Sequence, residues 1–245
     1  MNTHKFQNQV AILSILAGVL ALTSIYLIAA GAGYNMAVFE NPSELLGMTT
    51  ADAGLLKASM IADMFGYYLL LLPALVYFQR YLKTRTSWSY VISWCGSAYI
   101  LIGAIGAAIL SVTWPAYVVE YPIATVLEQE IIKRNFELLN QLVYGGLWNT
   151  LEVVLAAAWW LGIGIAVRKD LPVFGILSIV LAFASIIDGV GNMLGLPNVA
   201  ALGLNIYLVL GIAWPVWFGA SLLYNSRKVN VNSQRLVMKP NLELA

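Results

Sequence analysis

Long apolar runs alternate with short polar ones along this chain. Residues 6–39, 64–79 and 86–119 carry no charged side chain. Residues 138–167 carry only Glu152, and residues 171–226 carry only Asp188. A helix that crosses a bilayer takes about 20 mostly apolar residues at about 1.5 Å rise each. The last run is long enough for two such helices, and Leu196-Pro197-Asn198 supplies the turn between them. The pattern predicts six spans, at about 10–30, 55–81, 90–112, 147–167, 172–195 and 200–224. The expected fold is an all-α polytopic transmembrane bundle over residues 1–226, followed by a polar cytoplasmic tail over 227–245. The first apolar stretch is longer than the h-region of a signal peptide, about 7–15 residues, and reads as a retained helix.

Basic residues orient the bundle. Lys5, Arg80, Lys83, Arg85, Arg168, Lys169, Arg227, Lys228, Arg235 and Lys239 fall on one side, and Lys57, Lys133 and Arg134 on the other. Ten against three predicts both termini in the cytoplasm, which for a helical bundle means the inner (cytoplasmic) membrane of a cell. Two outer segments are expected to carry structure of their own. Residues 32–54 contain Asn41-Pro42-Ser43 and Thr49-Thr50-Ala51-Asp52, a turn and a helix start. Residues 123–141 read as an amphipathic helix at the outer interface or as an extension of the fourth span.

Composition sharpens this picture. Of 245 residues, 60% are hydrophobic and 10% charged, with a net charge of +1, so no nucleic-acid partner is implied. The single histidine, His4, excludes di-iron and zinc chemistry and a Ser-His hydrolase within the spans. The single cysteine, Cys95, excludes an internal disulfide. No paired Asp-rich motif for magnesium diphosphate occurs, and Gly103-Ala104-Ile105-Gly106 reads as packing material within a helix. No metal and no cofactor are expected.

Three carboxylates remain inside the spans: Asp63, Glu152 and Asp188. An ionisable residue there costs about 2.5–3.5 kcal/mol on insertion scales and is a functional candidate by default. Counting along each helix puts all three at similar depth, toward the outer face. Polar neighbours follow at helical spacing: Asn192 and Ser185 beside Asp188, Asn149 beside Glu152, and Tyr67 and Ser59 beside Asp63. Asn205 and Tyr207 on the sixth span, with Thr23, Ser24 and Tyr26 on the first, extend the same level. The expected ligand-binding set is Asp63, Tyr67, Asn149, Glu152, Asp188, Asn192, Asn205 and Tyr207, and the three acids are the catalytic candidates. With no Lys or Arg in the spans to pair with them, the acids cannot all stay charged, so the site should hold a proton, a cation or an amine. The plainer alternative is that each acid fastens neighbouring helices by a hydrogen bond.

Trp114, Tyr117, Tyr121, Tyr144 and Trp148 fit an outer aromatic belt, while Trp159, Trp160, Trp214 and Trp217 lie deeper, as core packing or as cavity walls. Pro73 and Pro215 are expected to kink the second and sixth helices. Gly191-Asn192-Met193-Leu194-Gly195 is a GxxxG at the acid site, a signal of close helix contact.

Ile61-Ala62-Asp63, and the run Leu171-Pro172-Val173-Phe174-Gly175-Ile176-Leu177 continuing to Ile186-Ile187-Asp188, resemble a family of bacterial six-helix membrane proteins classed as a domain of unknown function. The resemblance spans about residues 10–225; it implies the fold and brings no activity. Three functions compete. One is binding or transport of a cation, proton or small amphipathic molecule at an outward-facing acidic pocket. The second is an acid-catalysed membrane enzyme, an isoprenoid cyclase in concrete form, using a protonated Asp or Glu. The third is an accessory subunit of a membrane complex. The expected partners are accordingly the lipid bilayer, a small hydrophobic or cationic ligand, and a membrane-protein partner or a second copy of the chain.

Overall fold

The computed structural model describes residues 3–35, 38 and 41–237, with residues 3 and 225–237 as backbone. Glu40, Lys239 and the end of the expected tail, residues 238–245, lie outside the described residues. Six helices are long and apolar enough to cross a membrane, and no strand occurs among the described residues. They are α1 (Thr3–Gly31), α2 (Ala53–Leu82), α3 (Ser89–Glu120), α4 (Val126–Val167), α5 (Pro172–Met193) and α6 (Pro197–Val237). The chain is a multi-pass all-α membrane protein.

The helices form a closed ring in sequence order, each packed on the next, with α6 returning to α1. We call the end bearing the short links 83–88 and 168–171 proximal, and the opposite end distal. The packing follows membrane rules, with small residues between helices and large ones outward. On α1, Val10, Ala11, Ser14, Ala17, Ala21 and Ser24 are buried, while Ile12, Leu16, Val19 and Leu22 are exposed. The α1–α6 approach is set by glycines: a Cβ on Gly18 would strike Val216, and one on Gly219 would strike the Ala11 carbonyl.

The polar connections are fixed by ion pairs and caps at both ends. Proximally, Arg85 pairs with Asp170 at 2.7 Å, and the Tyr81 hydroxyl donates to the same carboxylate. The Tyr81 hydrogen bond, then Arg85, hold the Asp170 carboxyl below its ordinary range. Distally, Asn41 caps the short turn Pro42–Leu45, and Asp52 caps α2 through Leu55 N–H at 2.9 Å. Gly195 has φ of +66°, and the Leu196 N–H bonds the Gly191 carbonyl at 2.8 Å, closing α5.

Several boundaries differ from the sequence reading. The segment over 123–141 is the extension of the fourth span: α4 runs continuously from Val126, opened by a capping box of Thr125 and Glu128. Charge along that segment hides a helix that its cap and its buried face (Ile132, Phe136, Asn140) make continuous. Helix α3 continues through Pro115 to Glu120, and α6 continues through Pro215 as helix to Val237. The GxxxG splits in role: Gly191 packs on the Ala200 backbone, whereas Gly195 meets nothing and serves as the helix cap.

Two hydrophobic clusters fill the ring. The proximal one interlocks Phe78, Trp159, Trp160, Phe174, Trp214 and Phe218, with ring centroids as close as 4.2 Å. The distal one gathers Leu45, Leu56, Leu110, Trp114, Phe136 and Val143. Trp114 is 0% exposed and stacks on Tyr144, so it is core rather than an interfacial belt residue. Trp217 is exposed and leaves the deeper aromatic group.

Candidate functional site

Between the two clusters lies a cavity of about 100 Å³ whose lining includes Asp63, Glu152 and Asp188. From the proximal start of α5 to Asp188 is roughly 24 Å at 1.5 Å per residue, so the site sits in the distal half of the ring. Glu152 is 3% exposed and Asp188 is 1% exposed.

The local backbone explains how polar groups from five helices meet here. Helix α2 is α-helical only to Asp63; Met64–Tyr68 is a π turn and Leu69–Leu71 a 3-10 turn. In the π turn, the Leu69 N–H reaches back to the Met64 carbonyl. Five-residue spacing brings Tyr68 beneath Asp63, where α spacing alone would place Tyr67. Pro73 has no N–H for the Leu69 carbonyl, and the Leu72 N–H takes it instead. The ladder is therefore broken, and the Tyr67 carbonyl, which Leu71 N–H would claim in an α-helix, accepts the Tyr99 hydroxyl of α3 at 2.9 Å. Helix α4 is likewise a π-helix over Gln141–Glu152, which carries Tyr144, Trp148, Asn149 and Glu152 along the cavity.

Close approach depends on small residues. A Cβ on Gly103 would fall inside the Tyr68 ring, and one on Gly203 would strike the Asp188 backbone. The expected role of Gly103 and Gly106 as packing positions is what the helices use: Gly106 faces the Trp148 indole, whose N–H donates to the Gly103 carbonyl at 3.3 Å.

The hydrogen bonds form two sets. The Tyr68 hydroxyl lies 3.2 Å from each oxygen of Glu152. The Tyr207 hydroxyl lies 3.0 Å from the Tyr99 hydroxyl. A phenol has one proton to donate. With Tyr99 donating to the Tyr67 carbonyl, the Tyr99–Tyr207 contact uses the Tyr207 proton. Asp188 accepts Asn192 Nδ2–H at 2.8 Å through one oxygen, and its other oxygen has no partner. Oδ2 of Asp63 is also buried without a partner. No Lys, Arg or His lines the cavity. Among the described residues, no three of His, Cys, Asp and Glu cluster tightly enough to hold a metal ion.

Of the expected set, Asp63, Tyr67, Asn149, Glu152, Asp188 and Tyr207 line this cavity together, with Ser24 of α1. Asn192 does not line it; it supports Asp188 from one turn away. Asn205 is not part of it: it is exposed and bonds the Ala201 carbonyl at 2.8 Å. Two positions from buried Tyr207, it lies on the opposite side of α6. Ser59 and Ser185 bond their own helix backbones, at Leu56 and Leu181, rather than the acids. Thr23 and Tyr26 are exposed. Sequence reasoning missed Tyr68 and Tyr99. The signal for Tyr68 was the Asp63–Pro73 spacing, because a proline about three turns on from a buried acid marks a helix whose register can shift. No family model, curated protein or solved structure matches the chain.

Proposed function

We propose that this membrane protein binds a proton or a small monovalent cation in the distal cavity, reached from the outer face of the cell membrane. The observation that carries this reading is the convergence of Asp63, Glu152 and Asp188 on one cavity with no basic side chain, two carboxyl oxygens being unpartnered. Each uncompensated buried ion costs several kcal/mol, so the cluster is stable only when it is neutralised in part. The proton is the leading occupant. The acids do not form a metal-holding cluster, and about 100 Å³ has room for a few waters at about 30 Å³ each. An isoprenoid substrate asks for roughly 300–1,000 Å³, which disfavours the cyclase reading.

Outward access follows from the excess of basic residues at the proximal end, which favours cytoplasmic termini. The aromatic block closes the proximal side, so the arrangement suits binding or sensing rather than passage straight through the ring. Kinship with the six-helix family of unknown function belongs to the same proposal; it rests on Ile61-Ala62-Asp63 and the Leu171–Leu177 run, and adds no activity.

The test is infrared difference spectroscopy on protein in zwitterionic-lipid nanodiscs, stepping pH and then adding Na⁺, K⁺ or ammonium at fixed pH. The expected result is a protonated-carboxyl band that responds to pH or is displaced by one cation, and that weakens in Asp63→Asn, Glu152→Gln and Asp188→Asn. An unchanged response in the triple variant would discard the reading and leave the acids as fasteners in a structural subunit.

A further inference from the structure

We propose that the groove between α3 and α4 at the proximal end binds one anionic phospholipid, with the phosphate at the mouth and an acyl chain along the groove. This inference depends on the fold alone, not on the distal cavity.

The groove encloses about 650 Å³, within the roughly 300–1,000 Å³ range of ligand sites and more than six times the distal cavity. Its two ends differ in chemistry. At the mouth stand Arg85, Arg168 and Lys169 from the two proximal links, beside Trp88. Arg85 is held by Asp170, so three positive charges less one leave a net of +2. Arg168 and Lys169 are exposed and make no ion pair among the described residues. Deeper in, the walls are Ile92, Leu161 and Ile165, over a floor of Ala158, Gly162 and Cys95. The floor is low because α3 and α4 touch there through a glycine: a Cβ on Gly162 would strike Ile92.

A phosphate and a hydrocarbon chain match this division of charge and surface. Basic pockets between membrane helices at a charged interface recognise anionic head groups. A soluble phosphate would leave the apolar length unused, and a zwitterionic lipid would leave two cations without a partner. Trp88, 66% exposed at the mouth, stands where an indole meets the head-group layer.

The experiment is native mass spectrometry of the full chain released from nanodiscs of phosphatidylcholine with phosphatidylglycerol, scored as lipid retained after partial delipidation. Three forms are compared: wild type, the double variant Arg168→Ala/Lys169→Ala, and Ala158→Phe. Ala158 is exposed on the floor, so its substitution fills the groove without entering the core. Wild type is expected to retain one phosphatidylglycerol in preference to phosphatidylcholine. Each basic side chain removed should weaken retention about fivefold, or roughly twenty-five-fold for the pair. Ala158→Phe should abolish the preference while thermal stability stays unchanged. Equal retention of both lipids would overturn the proposal. So would loss in the double variant without loss in Ala158→Phe, which would mean surface attraction only. Full competition by glycerol 3-phosphate would also overturn it, in favour of a soluble phosphate site.

Discussion

The two halves of the ring interior fill similar space with opposite materials. The proximal half is an aromatic block around Trp214, whose indole N–H reaches Ser178 at 2.8 Å, on stretches that stay α-helical, α6 through Pro215. The distal half holds three carboxyls and four tyrosines along the cavity, and there α2 departs from α geometry by a π turn and α4 by a π stretch. Packing alone asks only for small residues between helices and interlocking side chains, which the proximal half supplies. A buried charged cluster adds little stability over apolar residues of similar volume. On the reading proposed above, the irregular backbone marks where placement of polar groups was favoured over simple packing.

Substitutions can break this contrast. The largest expected effect is Trp214→Ala, which removes a ring in contact with five neighbours' rings and leaves the Ser178 hydroxyl only its bond to the Phe174 carbonyl. A loss of about 3–5 kcal/mol is expected, read by reversible unfolding in detergent, with the carboxyl infrared band unmoved. A shifted band would mean that the halves are coupled and the contrast is false. Gly103→Ala should cost about 1–3 kcal/mol because the new methyl group displaces the Tyr68 ring. Here the band should move as well, since Tyr68 leaves Glu152. Tyr68→Phe removes the phenol without crowding and should cost about 0.5–1.5 kcal/mol, again with a band shift. If Tyr68→Phe leaves the band unchanged, the phenol does not govern Glu152.

The smallest effect belongs to Asp170→Asn, at the proximal links. The Asp170 carboxyl is held below its ordinary range, so it stabilises the folded chain above the unfolded value of about 3.9. That contribution fades as pH falls through the lower, folded value. Wild type and Asp170→Asn should therefore differ by a constant amount at neutral pH and converge in acid, as followed by thermal melts across pH. A difference that grows on acidification would contradict this.

The sequence made the six helices legible because charge interrupts apolar runs at almost every turn of the chain. It also made most of the site legible, because Asp63, Glu152 and Asp188 are the odd residues in apolar surroundings. What it concealed has physical causes. Tyr68 falls off the Asp63 face under α spacing, and only the π turn returns it. Tyr99 looks like one more aromatic in an apolar helix until the broken ladder of α2 leaves a carbonyl for it. The extension of α4 reads equally as an interfacial amphipathic helix, because its apolar face is narrow, with Ile132 and Phe136 its buried apolar residues. The misplacement of Asn205 was avoidable, since two residues on a helix cannot share a face with Tyr207 between the same walls.

Helix α4, with 42 residues, is about 60 Å long, twice the roughly 30 Å of a bilayer's hydrocarbon core. Its first turns, from Val126, stand on the distal side and pack there through Ile132 and Phe136. An antibody fragment or a fused helix seated near Val126 would sit on the same helix that bears Glu152, with the π stretch Gln141–Glu152 between them. Such a marker would orient the particle in an electron micrograph.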